Sequence, residues 1–245
     1  RGFVSNTRLI NGLRTLGSSY RFPAISPVVE SYDVVKGPSS SLFGSVSPGG
    51  VVNIVTKKPL PEKRQQVTFS TGSFNTLRGS LDFTGKVAQD SSFLYRINVF
   101  GQNSDTWYRN MKDDALVVAP SFSFLPGAGT RINVDVTHSR LTTMENEGLF
   151  AFQGKSIDET PIGFSVLQRG DRNRTTTTSF NLSLNQKLND HVDLNISYLK
   201  DFLTWDDKRH TAQSPSSNDA WSDGDSSVAV YYSEWEAEMH ADNIT

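Results

Sequence analysis

Val34-Val35-Lys36-Gly37-Pro38-Ser39-Ser40-Ser41-Leu42-Phe43-Gly44-Ser45-Val46-Ser47-Pro48-Gly49-Gly50-Val51-Val52-Asn53-Ile54-Val55-Thr56-Lys57-Lys58-Pro59 reads as strand, turn, strand. A short apolar run leads into a region punctuated by glycine, proline and serine. A β-branched run follows, closed by two lysines and a proline. Gly37, Gly44, Gly49 and Gly50 permit tight turns and close packing, while Pro38 and Pro48 fix φ. Gly44 to Gly50 is not a phosphate-cradling loop, because no Lys-Ser/Thr follows Gly49 or Gly50. The sequence has no G-x-S-x-G nucleophile elbow either.

The texture of the chain changes around this stretch. Residues 1–63 are rich in glycine, proline and serine, whereas 64–245 consist of alternating segments. Phe93, Tyr95, Ile97 and Val99 alternate with Arg96 and Asn98, and Ile132, Val134 and Val136 with Arg131, Asn133 and Asp135. Phe180, Leu182 and Leu184 alternate with Ser179, Asn181, Ser183 and Asn185. Val192, Leu194, Ile196 and Tyr198 alternate with Asp193, Asn195 and Ser197. A period of two places each set on one face of a sheet. Strands are predicted at 65–74, 76–87, 91–104, 114–124, 129–142, 174–188, 190–205 and 227–240. Several exceed the five or six residues typical of soluble strands and suit tilted strands that cross a bilayer and protrude beyond it. Connections alternate in size: short at 88–90, 125–128 and around Asn189-Asp190, longer at 105–113, 143–173 and 206–226. An up-and-down membrane barrel predicts that asymmetry, whereas loops of this length count against a compact soluble domain.

Composition narrows the possibilities. With 245 residues, 36% hydrophobic and 11% aromatic, the chain can bury a core, yet no run approaches the roughly 18 apolar residues of a membrane-spanning helix. A net charge of −2 argues against a nucleic-acid partner. The absence of cysteine excludes disulfides, thiolate metal sites and thiol catalysis. Arg1-Gly2-Phe3 carries no signal peptide, and the expectation is a fragment that begins inside a domain.

Arg1-Gly2-Phe3, Ile10-Asn11-Gly12-Leu13-Arg14 and Val34 to Pro59 occur in the order found in one family of plug domains. Phe69 to Phe83 looks like the barrel hairpin that follows. The chain thus resembles TonB-dependent outer-membrane siderophore receptors. The resemblance implies a mainly β fold: the C-terminal part of a plug over 1–63 and about eight antiparallel strands of a transmembrane barrel over 64–245. The family barrel has 22 strands, so eight fall short of closure. It also implies uptake of a ferric siderophore across the outer membrane of a Gram-negative bacterium, energised by TonB through a TonB box that this sequence lacks. Outer-membrane lipid or lipopolysaccharide is the surrounding partner. The cargo brings its own chelated iron, so no cofactor, protein metal ligand or catalytic residue is expected. The alternatives are a soluble β-sandwich carbohydrate-binding or adhesin-type module, or a receptor of this family for cobalamin, haem or an oligosaccharide.

For ligand contact the resemblance points to the plug apex at Gly17, Ser18, Tyr20, Arg21 and Phe22. Tyr20 offers a flat amphipathic ring and Arg21 a charged donor fork for chelate oxygens. Trp107, Tyr108, Phe150, Phe152 and Trp221 are the aromatic candidates of the extracellular loops. Trp107, Tyr108, Trp205, Tyr231, Tyr232 and Trp235 are expected to mark interfacial girdles. Asp206, Asp207, Asp219, Asp223 and Asp225 make one long loop acidic without the order of a calcium loop. Glu234, Glu236 and Glu238 share one face, predicted to be the lumen because a lipid face would penalise them. His138, His191, His210 and His240 show no ligand spacing.

Overall fold

The computed structural model describes residues 7–15, 26–37, 44, 46, 48–87, 89–144, 157–159, 161–212 and 230–244. These form two sheets. The small one contains β1 (Thr7–Ile10), β2 (Leu13–Arg14), β3 (Val29–Lys36) and β4 (Gly50–Thr56), in the order β2-β1-β4-β3. Asn11 and Gly12, both at positive φ, close the β1–β2 hairpin, as an Asn-Gly pair favours in a two-residue turn. Asn11 then ties the turn to β4: its Nδ2 donates to Thr56 Oγ1 at 2.9 Å and its Oδ1 accepts from Thr56 N at 3.0 Å. β3 and β4 are the two strands read from Val34 to Thr56, paired antiparallel with Lys36 opposite Gly50. Gly50 is at φ 124°, and a Cβ there would collide with the Val35 carbonyl oxygen, so the strand must open on glycine.

The large sheet holds eight antiparallel strands in sequence order: β5 (Arg64–Gly72), β6 (Thr76–Lys86), β7 (Phe93–Asn103), β8 (Asp113–Gly127), β9 (Thr130–Thr143), β10 (Arg172–Asn189), β11 (Val192–Ala212) and β12 (Val230–Ile244). All eight expected strands are present. The largest shifts in boundary are at β11 and β12. β11 runs 21 residues, so Asp206, Asp207 and His210 belong to a strand and not to the long link predicted from 206. β12, described from Val230, extends to Ile244, four residues past the expected end. The backbone pairing explains both, because β11 and β12 stay in register from Tyr198↔Ile244 to Ala212↔Val230. Polar composition does not interrupt a ladder whose hydrogen bonds are all backbone.

Burial separates the two faces. On β8 to β11 the odd-numbered residues are the covered ones, including Val117, Ser121, Asn133, Ser139, Thr177, Asn181, Leu199 and Leu203. The opposite face exposes Phe122, Phe124, Val134, Phe180, Leu182, Leu194 and Ile196. The sheet therefore turns a largely polar face toward the small sheet and an apolar face outward. A β-sandwich does the reverse, burying its apolar face against a second sheet.

The even positions of β12 pair with the even, outward positions of β11: Glu234 with Lys208, Glu236 with Asp206 and Glu238 with Thr204. The three glutamates accordingly lie on the outer face, not in the lumen. They lie beyond the apolar stretch of that face, beside charged groups that include the Glu234–Lys208 ion pair. The same parity puts Trp205, Tyr231 and Trp235 on the inner face, leaving Tyr232 as the outward one. Trp205 Nε1 donates to Asn173 Oδ1 at 3.1 Å, across to β10 on that inner face.

Candidate functional site between the two sheets

Among the described residues, side chains fasten the small sheet to the large one at the exit from β4 and at the β2 edge. At the exit from β4, Lys57 Nζ donates to Asp82 Oδ2 at 3.0 Å and Lys58 pairs with Asp135. Arg96, 2% exposed, forks onto Asp82: Nε to Oδ1 and Nη2 to Oδ2, both at 2.8 Å. Its Nη1 donates to the Lys58 carbonyl at 2.9 Å. Bidentate guanidinium–carboxylate pairs fix orientation as well as charge. Here the fork on β7 aims the β6 carboxylate at Lys57. Leu60 N donates to Thr84 Oγ1, which donates on to the Tyr95 carbonyl, both at 2.9 Å. At the other edge, Thr15 Oγ1 donates to Asp201 Oδ2 at 2.8 Å while Ser179 Oγ donates to Asp201 Oδ1 at 2.6 Å. Asn243 Nδ2 donates to the Arg14 carbonyl at 2.7 Å.

The links 104–112 and that between β9 and β10 lie at one end of the large sheet, with the tight 73–75 turn beside them, and the 128–129 and 190–191 turns lie at the other. At the loop end a cavity of about 450 Å³ opens between Pro27, in the 3-10 turn that leads into β3, and the wall. Thr68, Ser70, Arg78, Ser80, Gln102, Asp113 and Thr143 supply its polar lining. Gln102 is fixed by donation from Nε2 to the Asp113 carbonyl at 2.8 Å and to Asp113 Oδ2 at 3.0 Å. Its Oε1 accepts from Arg78 Nε at 2.7 Å. Arg78 thus lines the cavity with its guanidinium tethered at Nε, and a guanidinium is a donor fork suited to two-oxygen anions.

The loops at this end pack on one another. Arg109 N donates to the Gly163 carbonyl at 3.2 Å and Asn110 Nδ2 to the Leu167 carbonyl at 2.8 Å. Of the two aromatic candidates there, Tyr108 is only 8% exposed, and Trp107, 50% exposed, lies against it with ring centroids 4.1 Å apart. Tyr108 is thus a packing residue, and Trp107 alone offers a ring face. Asp105 accepts from Lys112 and from Asn75 at 2.8 Å each, tying the loop to the 73–75 turn. The Lys112 hydrogen bond, then that of Asn75, holds the Asp105 carboxyl below the ordinary carboxylate range.

Gly17, Ser18, Tyr20, Arg21, Phe22, Phe150, Phe152 and Trp221 lie outside the described residues, as do Asp219, Asp223 and Asp225. The sequence reading did not single out Lys57, Lys58, Asp82, Arg96, Asp135 and Asp201 as a set. Its available signal was the recurrence of charge on the polar positions of alternating strands, where Arg96 and Asp135 stand. Nothing in a local pattern says which charges meet.

No protein-family model matches the chain. It is 29% identical over 131 residues to the ferrichrome outer membrane transporter/phage receptor of Escherichia coli K12, covering 51% of this chain and 18% of that protein. It is 34% identical over 134 residues to the ferrioxamine receptor of Yersinia enterocolitica, covering 54% and 18%. Its fold matches the outer-membrane ferripyoverdine receptor of Pseudomonas aeruginosa with a TM-score of 0.88 at 15% identity, over 99% of this chain and 33% of that one. The chain spans less than a fifth of the length of these curated relatives. The fold is therefore that of a receptor plug beside consecutive strands of a barrel wall, as the opening motif and the alternating strands anticipate.

Proposed function

We propose that this chain is part of an outer-membrane receptor that takes up a ferric siderophore with energy delivered by TonB. The observation that carries the proposal is the inverted polarity of the wall: apolar residues face outward while polar and charged ones clasp the plug. In water that arrangement exposes the apolar face; in a bilayer it satisfies both faces. The relatives' names speak for the cargo class, since both are receptors or transporters of siderophores.

A ferric chelate enters at the loop end, where Trp107 offers a ring face and Arg78 a guanidinium fork. Iron arrives already coordinated by the chelator, so the receptor's task is to hold an oxygen-rich anionic shell. TonB, pulling on plug sequence ahead of the described strands, rearranges the plug and opens a path along the polar wall. The anchors at Lys57, Lys58 and Thr15 set how much of the plug can move. Lipopolysaccharide surrounds the protruding wall.

Deletion of the gene tests the proposal. Uptake of labelled ferric chelates, hydroxamate and catecholate among them, is expected to fall for at least one chelate and to be lost equally in a strain without TonB. Unchanged uptake of every ferric chelate would sink the siderophore assignment. A loss confined to cobalamin, haem or an oligosaccharide would move the receptor to another cargo.

A further inference from the structure

Among the buried polar atoms of the wall that meet no protein partner, Asn98 Oδ1, Ser121 Oγ and Asp135 Oδ1 fall close together on neighbouring strands. Their residues are 3%, 4% and 7% exposed. All three residues line one small void of about 10 Å³ beneath the plug, together with Thr56 and Lys57. The wall is interrupted at this point. On the β9 side, β8 pairs Val118↔His138 and then Ser121↔Asp135, with Ala119 and Pro120 skipped. On the β7 side the pairing continues through Asn98↔Ala119 and Ile97↔Pro120. Proline has no N–H to donate, so within a sheet it breaks the ladder.

We infer that the seam between plug and wall binds one buried water molecule, held by Asn98 Oδ1, Ser121 Oγ and Asp135 Oδ1. The void is the size of a single water, and such sites require two to four polar partners. The donor and acceptor inventory fits. Water donates one hydrogen to the Asn98 carbonyl and the other to the Asp135 carboxylate, and accepts from the Ser121 hydroxyl. A metal cation would also meet three oxygens, but the charge balance opposes it. Asp135 already neutralises Lys58, and Asp82 is shared by Lys57 and Arg96. A third carboxylate, that of the largely exposed Glu30, lies 4.0 Å from Arg96.

The water hydrates the carboxylate that Lys58 must leave if the plug moves. That consequence rests on the receptor reading, whereas the binding site does not. A crystal structure of the detergent-solubilised full-length protein, grown with rubidium ions and resolving ordered water, tests the site. Density within hydrogen-bond distance of all three atoms, without anomalous signal, is the expected result. An anomalous peak would replace the water by a cation and overturn the inference. So would an absent peak, or the three side chains turned onto protein partners. In Asn98→Leu, with the Lys58–Asp135 pair retained as the sign of correct folding, the peak is expected to vanish; its persistence would remove Asn98 from the site and overturn the proposed coordination.

Discussion

Arg96 illustrates how a single side chain sets the seam. It reaches Asp82 with two hydrogen bonds and the Lys58 carbonyl with a third while almost fully covered. Arg96→Ala leaves Asp82 with Lys57 alone, so the cost stays below the about 3–5 kcal/mol of a buried charge left with no partner. A lower denaturation midpoint in detergent, only partly restored by Arg96→Lys, is the expected reading; an unchanged midpoint would show the fork to be idle. Arg78 differs, because it is exposed and faces the cavity. Arg78→Glu should leave folding intact and weaken binding of an anionic chelate by roughly tenfold or more, the scale of one lost charge-assisted hydrogen bond. Equal affinity in a titration would remove Arg78 from the ligand path. Asp105 provides a pH dependence of known sign. Its carboxyl is held low by Lys112 and Asn75, so its tie to the 73–75 turn is fully present above the unfolded value of about 3.9. The tie is lost as pH falls through the lower folded value. Hydrogen exchange at residues 104–112, corrected for intrinsic rates, should therefore stay flat from neutral pH to the ordinary carboxylate range and rise below it.

At the scale of elements, the long strands β10, β11 and β12 carry two environments on one outer face. Leu182, Leu184, Leu194 and Ile196 occupy its apolar part, and Asp206, Lys208, Glu234 and Glu236 its charged part. The expectation that Glu234, Glu236 and Glu238 face the lumen assumed that the whole outer face meets lipid. The strands protrude past the apolar part, so the glutamates remain outward without desolvation. Leu182→Arg places a cation in the apolar part, where the cost reaches about 2–4 kcal/mol at mid-bilayer. Glu236→Arg, beside Asp206, should be tolerated. The folded, outer-membrane fraction of each variant measures the difference, and equal assembly of the two would contradict the assigned membrane position.

For the molecule as a whole, the eight-stranded sheet has two unpaired borders, β5 and β12, among the described residues. Val67 and Phe69 on β5 are 68% and 69% exposed. Unpaired strand edges next to exposed apolar side chains template association. The 245-residue chain expressed alone is therefore expected to form oligomers or aggregates in detergent-free buffer. Light scattering after size exclusion would decide, and a cooperative, monomeric melt would refute the membrane-wall reading.

The amino-acid sequence by itself determined the elements. Period-two alternation specified eight strands, short and long links specified their up-and-down order, and the Val34 to Pro59 stretch specified the strand pair that ends the plug. These are local properties, written in residues a few positions apart. The inner-facing network was not legible, because Lys57 meets Asp82 across 25 positions, Lys58 meets Asp135 across 77 and Thr15 meets Asp201 across 186. Only the tertiary structure decided those partners, along with the outward placement of the β12 glutamates and the inward placement of Trp205 and Trp235. Alternation states that two faces differ in polarity. Which face meets plug or lipid at each height depends on strand register and protrusion, which backbone pairing across the sheet sets.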